Sequence, residues 1–162
     1  MELTMQIQFD LGLRLLIAVA LGGVIGLERE HRGHDAGLGT FALVTLGACV
    51  FSLVSDLVFS SSSDNTRIAS AVVEGISFLG AGIIIHGRSG GVSGLTTAAA
   101  LWATAAVGML VGYGLYVLAG MTTAVVLLIL VIRHIGPIAH TLEEMRGDDE
   151  PVATRPSSEP AP

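Results

Sequence analysis

The sequence predicts an all-α membrane protein, a polytopic bundle of about five transmembrane helices. Two observations carry that prediction. The first is composition. Of 162 residues, 51% are apolar and only 14% are charged, against about 25% charged in soluble domains. With a mean hydropathy of +0.72, the chain has too few polar residues to clothe a soluble surface. The second is patterning. Five apolar runs follow one another with short links, each close to the ~20 residues that a helix needs to cross a bilayer.

The first run covers residues 9–27. Its leading flank holds Glu2 and Asp10 rather than a basic cluster, and it ends in Gly-Leu-Glu-Arg-Glu without a small-residue cleavage pattern. It therefore reads as a retained helix and not a cleaved signal. The second run covers residues 38–59 and the third 68–85. The fourth, 95–111, and the fifth, 113–132, are separated by little more than Gly112-Tyr113-Gly114, which predicts a tight antiparallel hairpin. Together these runs define a transmembrane domain over 9–133. Residues 134–146 place Ile138, Leu142 and Met145 on one helical face, as in a short amphipathic segment at an interface. Residues 147–162, rich in Asp, Glu, Pro and Ser, have the composition of a disordered acidic tail.

Orientation follows from the arginines, since the chain has no lysine. Arg29, Arg32, Arg88, Arg133, Arg146 and Arg155 fall on one side, Arg14 and Arg67 on the other. The side richer in short-loop arginines is the cytoplasmic one. This predicts an outside N-terminus and a cytoplasmic C-terminus.

Small residues crowd the runs. Gly22 and Gly26 form a G-x-x-x-G pair in the first, and Gly75, Gly80 and Gly82 stud the third. Lipid supplies no hydrophobic drive between helices, so close backbone approach at such positions is expected to hold the bundle.

The few ionisable residues inside the runs are the candidate functional groups: Arg14, Glu28, Asp64, Arg67 and Glu74. Counted from Ile68, Glu74 lies about six residues, or ~9 Å, into its run, near the depth of Arg14. Two partners are open to Arg14: Glu74 on another helix, or Asp10 one turn earlier. Asp64 reads as the N-cap of the third helix, with Arg67 and Glu74 seven apart on one face. Asp56, Asp64 and Glu74 supply oxygen ligands of the kind a hard divalent cation prefers, but the neighbouring arginines oppose a strong site. Glu28 directly follows the first glycine pair, where it is either partly buried or solvated at the interface.

Other chemistries find little support. The single Cys49 sits in an apolar run and excludes an intramolecular disulfide. His31-x-x-His34-Asp35 has no third fixed ligand nearby. Gly90–Thr97 lacks the Lys and the preceding strand of a phosphate loop. No basic face suits nucleic acid, no nucleophile–base set is present, and no cofactor or metal is expected.

Several segments in register resemble the MgtC/SapB family of bacterial inner-membrane proteins. They are Gly22 through Glu30, Ala36 through Thr40 with Leu43 through Ala48, Asp64 through Ala69, Gly75 through Gly82, and Gly94 through Ala99 with Leu101-Trp102. Gly39 stands where the family usually has arginine, Ala71 where glutamine is frequent, and Glu74 where many members carry a small polar residue. The chain looks like a short form without the soluble C-terminal domain of longer members. The resemblance implies a non-enzymatic protein tied to growth at low magnesium and survival in host cells. It also implies docking onto other membrane proteins, the proton-translocating ATP synthase among them. Glu28, Asp64 and Arg67 match the family's polar positions.

Two functions compete. One is a membrane interaction protein whose partners are the bilayer and other membrane proteins. The other is a transporter or channel for a cation or small solute, which five short spans would need a homo-oligomer to build.

Overall fold

The computed structural model describes residues 4–59, 64–85 and 93–132. It forms five α-helices: α1 Met5–His31, α2 Leu38–Phe59, α3 Asp64–Ile85, α4 Leu95–Gly112 and α5 Tyr116–Ile132. No strand occurs among the described residues. Helices α1 to α4 are long and apolar enough to cross a membrane, while α5 is apolar with 17 residues, at the lower limit for a span. The segments expected to be interfacial (134–146) and disordered (147–162) lie outside the described residues.

The chain divides into two compact units, Met1–Leu127 and Leu128–Pro162. Within the first, α2 and α4 pack on each other, and each also contacts both α1 and α3. The cluster of Ala18, Cys49, Leu53, Val107, Val111 and Ala119 forms the core.

Glycine brings these helices together. An added Cβ at Gly22 would overlap Thr45 Oγ1 and come within 2.7 Å of the Phe41 carbonyl oxygen, and one at Gly26 would lie 2.7 Å from Leu38 Cα. Also against α2, Gly108 and Gly112 of α4 repeat the G-x-x-x-G spacing. A Cβ at Gly108 would overlap the Thr45 carbonyl, and one at Gly112 would lie 2.6 Å from Ser52 Cβ. Thus α2 is seated between two glycine faces with Thr45 common to both. Its hydroxyl donates to the Phe41 carbonyl at 2.6 Å. Ser52, Thr104 and Thr123 likewise bond the carbonyl four residues back, which satisfies buried hydroxyls without a second helix.

Two helix ends share one device. Gly33 (φ 72°) and Gly114 (φ 77°) adopt the left-handed conformation just past α1 and α4. The Gly33 and His34 amides return to the Glu30 and Arg29 carbonyls, and the Gly114 and Leu115 amides to Val111 and Leu110. This is the Schellman pattern, which needs a residue tolerant of positive φ. The turn after α4 is as short as expected, but the tight hairpin is not formed. Helix α5 does not lie closely along α4 and reaches the core through Ala119.

Candidate functional site

Arg14 stands at the end of α4. Its Nη2 pairs with Asp10 Oδ2 at 2.9 Å, its Nη1 donates to the Gly112 carbonyl at 2.9 Å, and its Cζ lies 6.0 Å from the Tyr116 ring centroid. A cation at a helix C-terminus meets the negative end of the dipole. The Arg14–Glu74 pair is therefore not formed. The reason is topological, because α1 packs on α2 and α4, so Asp10 and the C-terminal carbonyl of α4 are the partners within reach.

At the opposite end of α1 lies the site that sequence reasoning missed. Arg29 is 1% exposed, and its Nη2 donates to Thr97 Oγ1 of α4 at 2.6 Å. The signal was present: Ala18, Gly22, Ile25 and Arg29 follow the i, i+4, i+7, i+11 stripe of one buried helix face, and all four are buried. Glu28, the residue singled out beforehand, lies beside that stripe and is mostly buried. It pairs with Arg32 one turn on, its side chain is 13% exposed, and its Oε2 is enclosed without a hydrogen-bond partner. Glu30 Oε2 accepts from the Leu38 amide at 2.8 Å and so caps the start of α2 from α1.

A cleft of about 460 Å³ opens beside this cluster, lined by His34, Asp35, Ser93 and Thr97 among others. Its lining includes two hydroxyls, one imidazole and a single carboxylate. Among the described residues, no three Asp, Glu, His or Cys side chains converge to hold a metal ion. Gly39, where the resemblance leads one to look for arginine, faces open space in the first turn of α2.

The remaining candidates lie on α3. The helix starts at Asp64, whose side chain is outside the described residues; Arg67 and Glu74 are both exposed. Glu74 lies farther into the helix than into the apolar run, because the four residues added at the start, Asp64 to Arg67, are polar. It is at the middle of the 22-residue helix, about 15 Å from either end. A lone charge in the hydrocarbon costs up to about 2.5–3.5 kcal/mol on insertion scales, the maximum being at its centre. Gly75 and Gly82 meet nothing within 4 Å of an added Cβ, whereas Gly80 approaches Ala98 Cβ at 3.4 Å. Within this chain, then, an added Cβ at Gly22, Gly26 or Gly80 meets a neighbouring helix, and one at Gly75 or Gly82 enters open space.

An all-helical bundle with four membrane-length apolar helices, and with ionisable side chains set into them, defines a polytopic membrane protein. The chain belongs to the MgtC family, whose model matches residues 15–135. It is 48% identical over 126 residues to "Protein MgtC" of Brucella abortus (strain 2308), which covers 78% of this chain and 51% of that protein. It is 41% identical over 129 residues to "Putative magnesium transporter YhiD" of Escherichia coli (strain K12), covering 75% and 60%. Identity to "Protein SrpB" of Synechococcus elongatus is 42% over 132 residues, covering 74% and 72%. The chain thus spans between half and three fifths of the length of the first two relatives. No solved structure matches it.

Proposed function

We propose that this chain is a non-enzymatic protein of the bacterial inner membrane that docks onto other membrane proteins and regulates them under magnesium limitation or stress. Its N-terminus faces outward and its C-terminus the cytoplasm, as the arginine distribution favours. The observation that carries the reading is the bareness of α3. Only 11% of its apolar window is buried, against 50% for α4, yet it holds a mid-helix carboxylate. A helix left uncovered by its own chain, with a charge that lipid solvates poorly, is suited to being covered by another protein.

A second reading, an oligomeric transporter of a cation or small solute, draws support from the name of the Escherichia coli relative, "Putative magnesium transporter YhiD". Intramembrane acids mark ion pathways often enough to sustain it. Reconstitution separates the two. The docking reading expects sealed vesicles containing the protein to show no magnesium or proton flux above empty vesicles. It also expects photo-crosslinkers on the bare face of α3, in native membranes, to yield adducts with other membrane proteins. Flux that disappears on Glu74→Gln or Asp64→Asn would overturn it in favour of transport.

A further inference from the structure

The exposed face of α3 has a pattern of its own. Arg67, Ser70, Glu74, Ser77 and Ala81 are all exposed, and they recur at i, i+3, i+7, i+10 and i+14. That is the 3.5-residue seam of a left-handed helix pair, written in small and polar residues rather than leucine. Small seam residues let a second backbone come close in lipid, and polar ones bond across it. Beside the seam, a groove of about 740 Å³ runs between α2 and α3, lined by Gly47, Ala71 and Gly75 among others. An added Cβ at Gly47 or Gly75 meets nothing within 4 Å, so there is room for a neighbouring helix to settle. Ser77 spends its hydroxyl on the Val73 carbonyl. No ion pair or hydrogen bond joins the Glu74 carboxylate to another described residue.

The carboxylate selects among occupants. Acyl chains offer it no donor. A second copy in the same orientation, paired seam to seam about a two-fold axis, would set Glu74 against Glu74 at one depth, and like charges repel most where the dielectric is low. A helix from a different protein with a cation at that level meets neither objection. We propose that the Arg67–Ala81 face of α3 receives one membrane-spanning helix of a partner protein, and that this helix carries a lysine or arginine level with Glu74. The assignment rests on the docking reading above and adds to it the face used and the chemistry recognised.

The test uses the full chain, with a donor dye at its amino terminus, in phosphatidylcholine vesicles. The probes are acceptor-labelled Leu/Ala peptides of about 20 residues, identical except for Lys or Leu at the central position. Wild-type chain is expected to show energy transfer to the Lys peptide at about tenfold lower peptide-to-lipid ratio than to the Leu peptide, within the range of strong interhelical polar contacts. Glu74→Leu is expected to erase the difference, and Ser77→Phe, which fills the seam, to weaken both peptides. Slow maleimide labelling of buried Cys49 in each variant verifies that the bundle is intact. Equal affinity of wild type for the two peptides overturns the assignment, as does a preference that survives Glu74→Leu. Transfer between copies of the chain that Glu74→Leu abolishes also overturns it, because the occupant is then a second copy. If the peptide preference is absent while native-membrane crosslinks to other proteins persist, this assignment fails and the docking reading stands. If crosslinks form only between copies of this chain, the docking reading itself fails.

Discussion

Replacing Gly108 by alanine tests how closely α2 and α4 approach. The new methyl would overlap the Thr45 carbonyl oxygen and lie 2.9 Å from Ala48 Cβ and 3.0 Å from the Thr45 carbonyl carbon. Two of those three atoms are backbone and cannot yield by changing rotamer, so the helices must separate. Overpacking of this kind costs about 1–3 kcal/mol. The main clash is with main chain, so the cost falls in the upper part of that range, about 2–3 kcal/mol; alanine returns about 1 kcal/mol through its better helix propensity, which leaves a net loss of about 1–2 kcal/mol. Cys49 reports it directly. It is the only cysteine in the sequence, it is fully buried, and it lies on α2 against Gly112. Where opening is faster than labelling, the maleimide rate in detergent follows the opening equilibrium. Gly108→Ala should therefore label roughly 5- to 30-fold faster than wild type. Gly12→Ala and Gly47→Ala, whose methyls enter open space, should label no faster. If Gly108→Ala labels as slowly as those controls, the argument from backbone contact is wrong.

Other expectations follow from the same structure. Thr97→Val removes the hydroxyl that accepts from Arg29 Nη2 and should cost about 1–3 kcal/mol, read as a lower unfolding midpoint in detergent. In a double-mutant cycle with Arg29→Met it should couple by at least about 0.5 kcal/mol. Gly114→Ala forces a side chain into left-handed backbone and should cost about 1–2 kcal/mol, whereas Gly120→Ala, in open space, should be tolerated in the same melt. Glu30→Ala should remove about 1 kcal/mol of capping from α2, while Glu30→Gln, which keeps the acceptor oxygen, should recover most of the melting temperature.

The helices were legible because a bilayer sets a minimum apolar length, and five runs met it or came close. Their ends were less so. Helix α1 continues through Glu28 and His31 because a Schellman turn at Gly33, not the end of hydrophobicity, terminates it. Helix α3 starts four polar residues before its apolar run, so Glu74 is central in the helix while it remains six residues into that run. Partner choice was not legible. Arg14 had two acids within reach on paper, and only the neighbour relations of the helices favoured Asp10 and the Gly112 carbonyl. Small-residue density marked Gly75 and Gly82 as readily as Gly22 and Gly26, since composition records how many faces can pack but not which ones do. The Gly108/Gly112 pair and Arg29 were readable by helical phase, each continuing a stripe of buried residues.

Thr45 touches both glycine faces, so α1, α2 and α4 make a keel whose spacing is fixed by main chain instead of by side chains that can repack. Such a keel tolerates little sideways drift. Helix α3, held to it over a smaller area, is the element that can take up a neighbour while the rest of the unit keeps its shape. A change in the tilt of α3 alone would leave the glycine contacts of that keel, which involve no α3 residue, in place.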